Sequence, residues 1–348
     1  MKGRSVTIDN VAEAAGVSRQ TVSRVINDHP NVKASVRKRV QEAVRSLGYV
    51  PNLSARRMGG ARSYLILAVN DRQRTIDNWN AGRGNDWVDQ MLCGGMTECE
   101  RHHYNFLFQL IDTDPVKAVE EMARRIGSIR PDGVILTPPH CDNDAMVRLL
   151  HERGIACARV GHRSGTDSVD VHMDEEGAAV SATELLVDSG HRSVAFIAGA
   201  PNYGNSARRV AGFKRALAAA GIPEANGQIG IGDFNFDVAA DVVRELLCRP
   251  NAPTAIIADN DAMAFAALHV ANEQGLAVPD DLSIISFEDT PGVRFSVPPL
   301  TAIRQPTSTM IATACQQLIS MAGGEKGNGA FELPYELVIR ASTAGPPA

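Results

Sequence analysis

VTIDNVAEAAGVSRQTVSRVIN, residues 6–27, decides how the front of this chain folds. Thr7 precedes Ile8, Val11, Ala12 and Ala15, which fall at i, i+3, i+4 and i+7 on one face of a helix, with Thr7 as its N-cap. Gly16 breaks the run and Val17 turns back toward the core. Ser18 is a second N-cap, opening a helix with Val22, Val25 and Ile26 inside. Further on, Val36, Val40, Ala43, Val44 and Leu47 form one stripe of a third helix that Gly48 ends. Three short helices joined by tight turns make an all-α helix-turn-helix domain.

The second helix has an outer face of Arg19, Gln20, Thr21, Ser23, Arg24 and Asn27. Arginine can pair bidentately with the guanine edge and glutamine with the adenine edge. Threonine, serine and asparagine suit phosphate contacts that fix register. A generic amphipathic helix is also polar outside. This face, however, has no acidic residue, and Arg19 and Gln20 stand in the first turn, which enters a groove first.

Charge divides the chain at the same place. Residues 1–62 carry a net +8, whereas the whole chain carries −5, so the remainder is strongly acidic. A basic head on an acidic body suits a polyanion that only the head touches. The opening MKGRSVTIDN is polar, and no apolar run approaches the roughly 18 residues of a membrane span. The six cysteines form no C-x-x-C pair and read as reduced thiols, so a cytoplasmic location is expected.

The string at 6–27, followed by VRKRVQEAVRSLGYVPNLSARRM at 36–58, resembles the DNA-binding region of the LacI/GalR family of bacterial repressors. The resemblance includes an A-x-x-A-G-V-S-x-x-T-V-S-R-V-x-N core. It implies that Arg19 and Gln20 set operator specificity, that Arg24 contacts a base, and that Thr7, Thr21, Ser23, Asn27 and Asn31 contact the DNA backbone. Residues 51–62 look like the family's hinge helix, which orders on operator DNA and wedges an apolar side chain into the minor groove. That resemblance places Asn52, Ala55, Arg56 and Met58 on DNA, with Met58 where leucine is usual. A plain basic linker is the alternative.

Behind the head, short β-branched runs (YLILAV, DGVILT, SVAFIA, TAIIAD, LSIISF) alternate with stretches of helical period. That pattern means parallel sheets covered by helices, and about ten strands need two Rossmann-like lobes with a cleft at the strand C-termini. The family resemblance implies the same two-lobed, periplasmic-binding-protein-like α/β domain. It rests here on GHRSVAFIAG (190–199), RVAGFKRAL (209–217), IIADNDAMAFAAL (256–268), DLSIISFEDT (281–290) and PPLTAIRQP (298–306). The expected division is residues 1–50 as head, 51–62 as linker and 63–348 as effector-binding and dimerisation domain. The first lobe is expected at about 63–161 and 291–323, and the second at about 162–290 and 324–341. RTIDNWNAGRGNDWVDQMLCGG (74–95) is longer and more polar than the family's usual run from first strand to helix.

By the same resemblance, Arg209 grips a ligand, Asn260 supplies a ligand-binding amide and Phe234 stacks on a sugar's apolar face. Glu288 stands where the family usually has aspartate, and Trp87 where it places an aromatic near the ligand. Trp87 and Phe234 read equally well as core packing. Gly161 replaces a common aspartate, and Arg159 in ACARVGH could reach the cleft with Glu288 or a ligand carboxylate as partner, or sit exposed at a strand edge.

No catalytic constellation emerges. G-x-G-x-x-G, a P-loop and G-x-S-x-G are all missing, and His102–His103 lack a third ligand at metal spacing. No cofactor is expected. The partners expected are a pseudo-palindromic operator, a second copy of the chain and a small effector, the pocket's inventory favouring a sugar. The tail ASTAGPPA carries no leucine heptads for tetramers. A purine corepressor, a transport-type solute-binding protein and a sensor of a partner protein are the competing readings.

Overall fold

Three helices and a long alternation of strands and helices make up a computed structural model that describes residues 6–26, 31–49, 62–82, 84–161, 167–325, 327 and 329–347. The chain divides into two compact units, Met1–Tyr64 and Leu65–Ala348.

In the first unit, α1 (Ile8–Ala15), α2 (Arg19–Ile26) and α3 (Ala34–Leu47) surround a core in which Val11, Val22 and Val40 are fully buried. The caps follow from the sequence. Thr7 N–H donates to Asn10 Oδ1 at 2.9 Å, and Thr21 N–H donates to Ser18 Oγ at 3.1 Å. Gly16, at φ 63°, takes the left-handed turn that ends α1, where a side chain would be strained. Leu47, expected on the inner stripe of α3, is instead exposed. The left-handed turn at Gly48 folds the chain back, Tyr49 N–H reaches Val44 O at 3.0 Å, and the Tyr49 ring is buried in the core.

The second unit holds two six-stranded sheets. The first has the order β11-β5-β4-β3-β1-β2, built from β1 (Leu65–Asp71), β2 (Asn105–Ile111), β3 (Gly133–Leu136), β4 (Ala156–Val160), β5 (Val169–His172) and β11 (Gly329–Glu332). All its pairings are parallel. The second has the order β12-β10-β9-β8-β6-β7, built from β6 (Val194–Ala198), β7 (Gly227–Ile231), β8 (Ala255–Ala258), β9 (Ser283–Glu288), β10 (Thr301–Arg304) and β12 (Glu336–Val338), of which only β12 runs antiparallel.

The continuous apolar runs are explained by burial on both faces. In β6, Ala195 and Ile197 join a core with α10 (Phe236–Leu247) and α11 (Asp261–Glu273). The alternate residues Val194, Phe196 and Ala198 join another with α8 (Glu175–Asp188) and α9 (Gly204–Ala219). On the first sheet, α5 (Asp86–Arg101) packs with α13 (Thr307–Ala322). Leu67, Val134 and Leu136 share a core with α6 (Pro115–Ile129) and α7 (Asp144–Glu152).

The strand pairings move the crossings between lobes. The chain stays in the first lobe past Gly161, because β5 pairs with β4, and it crosses near Met173. It does not return near Asp289–Pro298, because β10 continues the second sheet; it returns at Gln305–Pro306. The last crossing falls not at Gly323–Gly329 but at Leu333–Pro334, since β11 pairs with β5 and β12 with β10. The lobe bounds read from the sequence are corrected accordingly: the strand that precedes each crossing has only four residues, too few for its periodicity to locate the crossing.

The polar segment after β1 forms an additional helix, α4 (Arg72–Asn80), followed by a turn into α5. The Asp71 carboxylate caps α4, accepting from Arg74 N–H at 3.1 Å. Only Thr75 of α4 is buried. A last short helix, α12 (Pro291–Phe295), precedes β10.

Candidate functional site

On the first unit, Arg19, Gln20 and Arg24 are exposed along α2, with Thr21 and Ser23 half-buried beside them. Asn31 is exposed ahead of α3, and Thr7 caps α1. Arg19 Nε lies 3.9 Å from Asp9 Oδ1, an exposed pair of small energetic weight that leaves the guanidinium available. Asn27, Asn52, Ala55, Arg56 and Met58 lie outside the described residues.

On the second unit, a cavity of about 630 Å³, including its mouth, opens between the C-terminal ends of the two sheets. Its walls bring together five of the residues expected there: Trp87, Arg209, Phe234, Asn260 and Glu288. Strand ends and helix caps deliver them. Glu288 ends β9, Asn260 caps α11 with its Oδ1 accepting from Met263 N–H at 2.9 Å, and Phe234 follows β7. The tip of the Phe234 ring fills the space beside Gly199, where a β-carbon would come within 2.0 Å of its Cζ.

Arg159 is not among the lining residues. It is buried, its Nη2 donates to Asp144 Oδ1 at 2.8 Å and its Nη1 to Cys141 O at 3.3 Å. The expectations of a reach into the cleft and of an exposed edge position are both corrected: β4 is an interior strand, and the start of α7 supplies the carboxylate.

Arg209 is buried and fully compensated. Its Nε donates to Glu175 Oε2 and its Nη1 to Asp259 Oδ1, both at 2.6 Å, and its guanidinium lies 4.6 Å from the centre of the Phe287 ring. Burial works against its charge, but the two carboxylates outweigh that and raise its pKa. Burial also pushes the Glu288 carboxyl well above the ordinary range, helped by the charge of Asp261 and opposed by Arg209. Asp261 is pushed up to about 6, again chiefly by burial, against hydrogen bonds from Ser286 and Thr290. Burial thus favours the protonated form of Glu288, in which the carboxyl can donate as well as accept a hydrogen bond.

The remaining walls went unread in the sequence. Asn70 and Asp71 end β1, Tyr203 and Asn205 follow β6, and Gln305 follows β10. The rule that ligands bind beyond the carboxyl ends of parallel strands points to these positions. The Asn205 Oδ1 atom is buried with no hydrogen-bond partner among the described residues, an acceptor suited to a ligand hydroxyl. From α4 come Arg74, Thr75 and Asn78.

Residues 7–52 match the profile of bacterial regulatory proteins of the lacI family, and residues 183–343 match a periplasmic binding protein-like domain. Catabolite control protein A of Priestia megaterium is 32% identical over 341 residues, covering 97% of this chain and 99% of that one. The chain belongs to the LacI family. This LacI-family chain is accordingly a DNA-binding transcription regulator and not an enzyme. The fold of this LacI-family protein is similar to that of a Lac repressor dimer bound to operator and an anti-inducer (TM-score 0.81, 26% identity, 98% of this chain and 100% of that one). It is also similar to a CelR–cellobiose complex (TM-score 0.71, 28% identity, 97% and 99%). Among the described residues, no helix of this LacI-family regulator is long and apolar enough to cross a membrane.

Proposed function

We propose that this regulator is a homodimeric, cytoplasmic repressor of carbohydrate-utilisation genes, released from its operator by a neutral sugar bound between the two lobes. Arg19 and Gln20 read the operator, Arg24 anchors a base, and Thr7, Thr21, Ser23 and Asn31 hold the phosphates. Asn27 and the linker residues Asn52, Ala55, Arg56 and Met58 complete the contact.

The observation that carries the effector reading is the polarity of the cavity. Amides and carboxyls line it, Trp87 and Phe234 supply apolar faces, and Arg209 is already matched by Glu175 and Asp259. Arg74, the other lining cation, is paired with Asp233, so among the described residues no uncompensated cation lines the cavity to hold a phosphate or carboxylate, whereas donors and acceptors around aromatic faces suit a ring bearing hydroxyls. A CelR relative with cellobiose in a similar fold supports that class. Dimerisation is supported by Phe295 and Val297, which are 80% and 84% exposed at the end of α12 and just beyond it in the second lobe.

A thermal-shift screen of mono- and disaccharides against nucleobases tests the effector class, and a gel-shift titration with the hit tests its sign. A sugar that raises the melting temperature and weakens operator binding is expected. A nucleobase hit, or tighter operator binding, would overturn the proposal in favour of corepression. A screen without any small-molecule hit would favour sensing of a partner protein.

A further inference from the structure

The additional helix α4 belongs to the first lobe, yet one of its side chains reaches the second. Arg74 Nε donates to Tyr203 Oη at 3.2 Å, its Nη2 to Asp233 Oδ1 at 3.0 Å, and its Nη1 to the Asp233 carbonyl. The guanidinium carbon lies 5.1 Å from the centre of the Tyr203 ring and 5.2 Å from that of Phe234. Those two rings meet edge to face at 5.1 Å. Tyr203 Oη in turn donates to Asp71 Oδ2 at 2.8 Å, so the first lobe holds Tyr203 from the end of β1 as well.

The receiving loop is shaped for this contact. Asp233 and Phe234 both adopt left-handed backbone, at φ 53° and 51°, a conformation open to aspartate but uncommon for a bulky residue such as phenylalanine. Two left-handed residues in succession turn the Asp233 carbonyl and carboxylate toward the same guanidinium and set the Phe234 ring beside it, with the strain at Phe234. Strain concentrated in this way is a mark of function.

We propose that Arg74 is a specificity-determining positioning residue: a resident cation that clasps the two lobes together without effector and covers one face of Phe234. This deepens the reading of the cavity as the effector cleft and rests on it. A sugar that needs that face of Phe234 must break the clasp, whereas one that lies against Trp87 keeps it. Ligands are sorted by where they carry their apolar face. The clasp also biases the free protein toward the closed arrangement, so that a ligand meets lobes already drawn together.

The chain has two tryptophans, and a Trp79→Phe background leaves Trp87, in the cavity wall, as the sole emitter. Acrylamide quenching of Trp87 is measured without effector in this background, in Arg74→Ala, in Asp233→Gly, in the double variant and in Arg74→Lys. Asp233→Gly removes the carboxylate while accepting the left-handed backbone. Each single variant should raise the quenching constant about twofold or more, the double variant should raise it no further, and lysine should restore part of the shielding. Unchanged quenching in both single variants, effects that add in the double variant, or a lysine variant no better than alanine would overturn the clasp. Should Arg74→Ala fail to fold by far-ultraviolet dichroism, Asp233→Gly alone decides. Because no effector is added, failure here leaves the sugar reading standing, and a fruitless sugar screen leaves the clasp standing.

Discussion

Arg209 and Glu175 form a buried ion pair at 2.6 Å in which neither side chain exceeds 3% exposure, and Asp259 closes the other side of the same guanidinium at the same distance. The residue assigned to ligand gripping is thus also a structural tie between α8, α9 and the end of β8. Only what is left of the guanidinium once two carboxylates have been served is open to the ligand contact proposed for it.

Arg209→Ala consequently does more than silence the effector response. It strands Glu175 and Asp259 without a countercharge, a loss of about 3–5 kcal/mol. Thermal unfolding of the variant should show a midpoint lower by several degrees. Operator binding in the cold should persist, because the helix-turn-helix unit has its own core. An unchanged midpoint would show the pair to be energetically idle.

Gly199→Ala should disturb the cleft from a distance. The new methyl would meet the Phe234 ring at 2.0 Å, so the ring must move and its contacts with Tyr203 and Arg74 must loosen. A cost of about 1–3 kcal/mol is expected in urea unfolding. Combining it with Phe234→Leu should recover part of that loss; a double variant weaker than the sum of the two would contradict the steric account.

The pH dependence follows from Glu288 and Asp261. Both carboxyls are raised, Asp261 to about 6, so the folded chain holds protons that an unfolded chain has released. Their contribution to stability is complete below the ordinary carboxylate range near ~4 and is lost as pH rises through the raised values. Burial lowers His140 and His191, which act the other way, losing stability as pH falls below their usual range. Glu288→Gln separates the two effects. At pH 7.5 it should be more stable than the parent, and the difference should shrink as pH falls toward the ordinary carboxylate range near ~4. Denaturation midpoints across that range check it, and a gap that does not depend on pH would refute it.

On DNA, Arg24→Ala should weaken the best operator by about 1–3 kcal/mol and relax preference at one base step. Changing Arg19 should redirect preference at one position without weakening all sequences alike. Selection from random oligonucleotides, sequenced for parent and variants, reads both; uniform weakening would mean that these side chains touch only phosphate.

Replacing Phe295 and Val297 together by glutamate should split the dimer, since both are largely exposed in the single chain and charges there oppose burial between copies. Sedimentation should show a shift to monomer, with a matching loss of operator affinity. A dimer untouched by the change would place the interface elsewhere.

How far the sequence could be read depended on the length of the signal. YLILAV and LSIISF are strands with both faces buried, and their apolar runs are long enough to be recognised. Arg209 and Asn260 stand in strings of nine and thirteen residues that resemble the family, and they line the cavity. Arg159 was misread because its partner, Asp144, comes close only through the pairing of β3 with β4 and the start of α7, which no local pattern announces. Arg74 lies in the very segment that departs from the family, so no matched position could carry a role to it. Its partners at 203 and 233 are 129 and 159 residues away, joined only by the closure of two lobes.

Three separate threads of backbone, at Met173, Gln305–Pro306 and Leu333–Pro334, join one sheet to the other. A door hung on one pin can swing, slide and twist, whereas one hung on three side by side mainly swings. The same weave interleaves the halves in sequence, so cutting the gene at residue 173 cannot release two autonomous pieces: the front piece would lack α13 and β11, both of which pack on its own sheet. Evolution can retune the swing by editing a few residues at these threads while the chemistry within each half stays untouched.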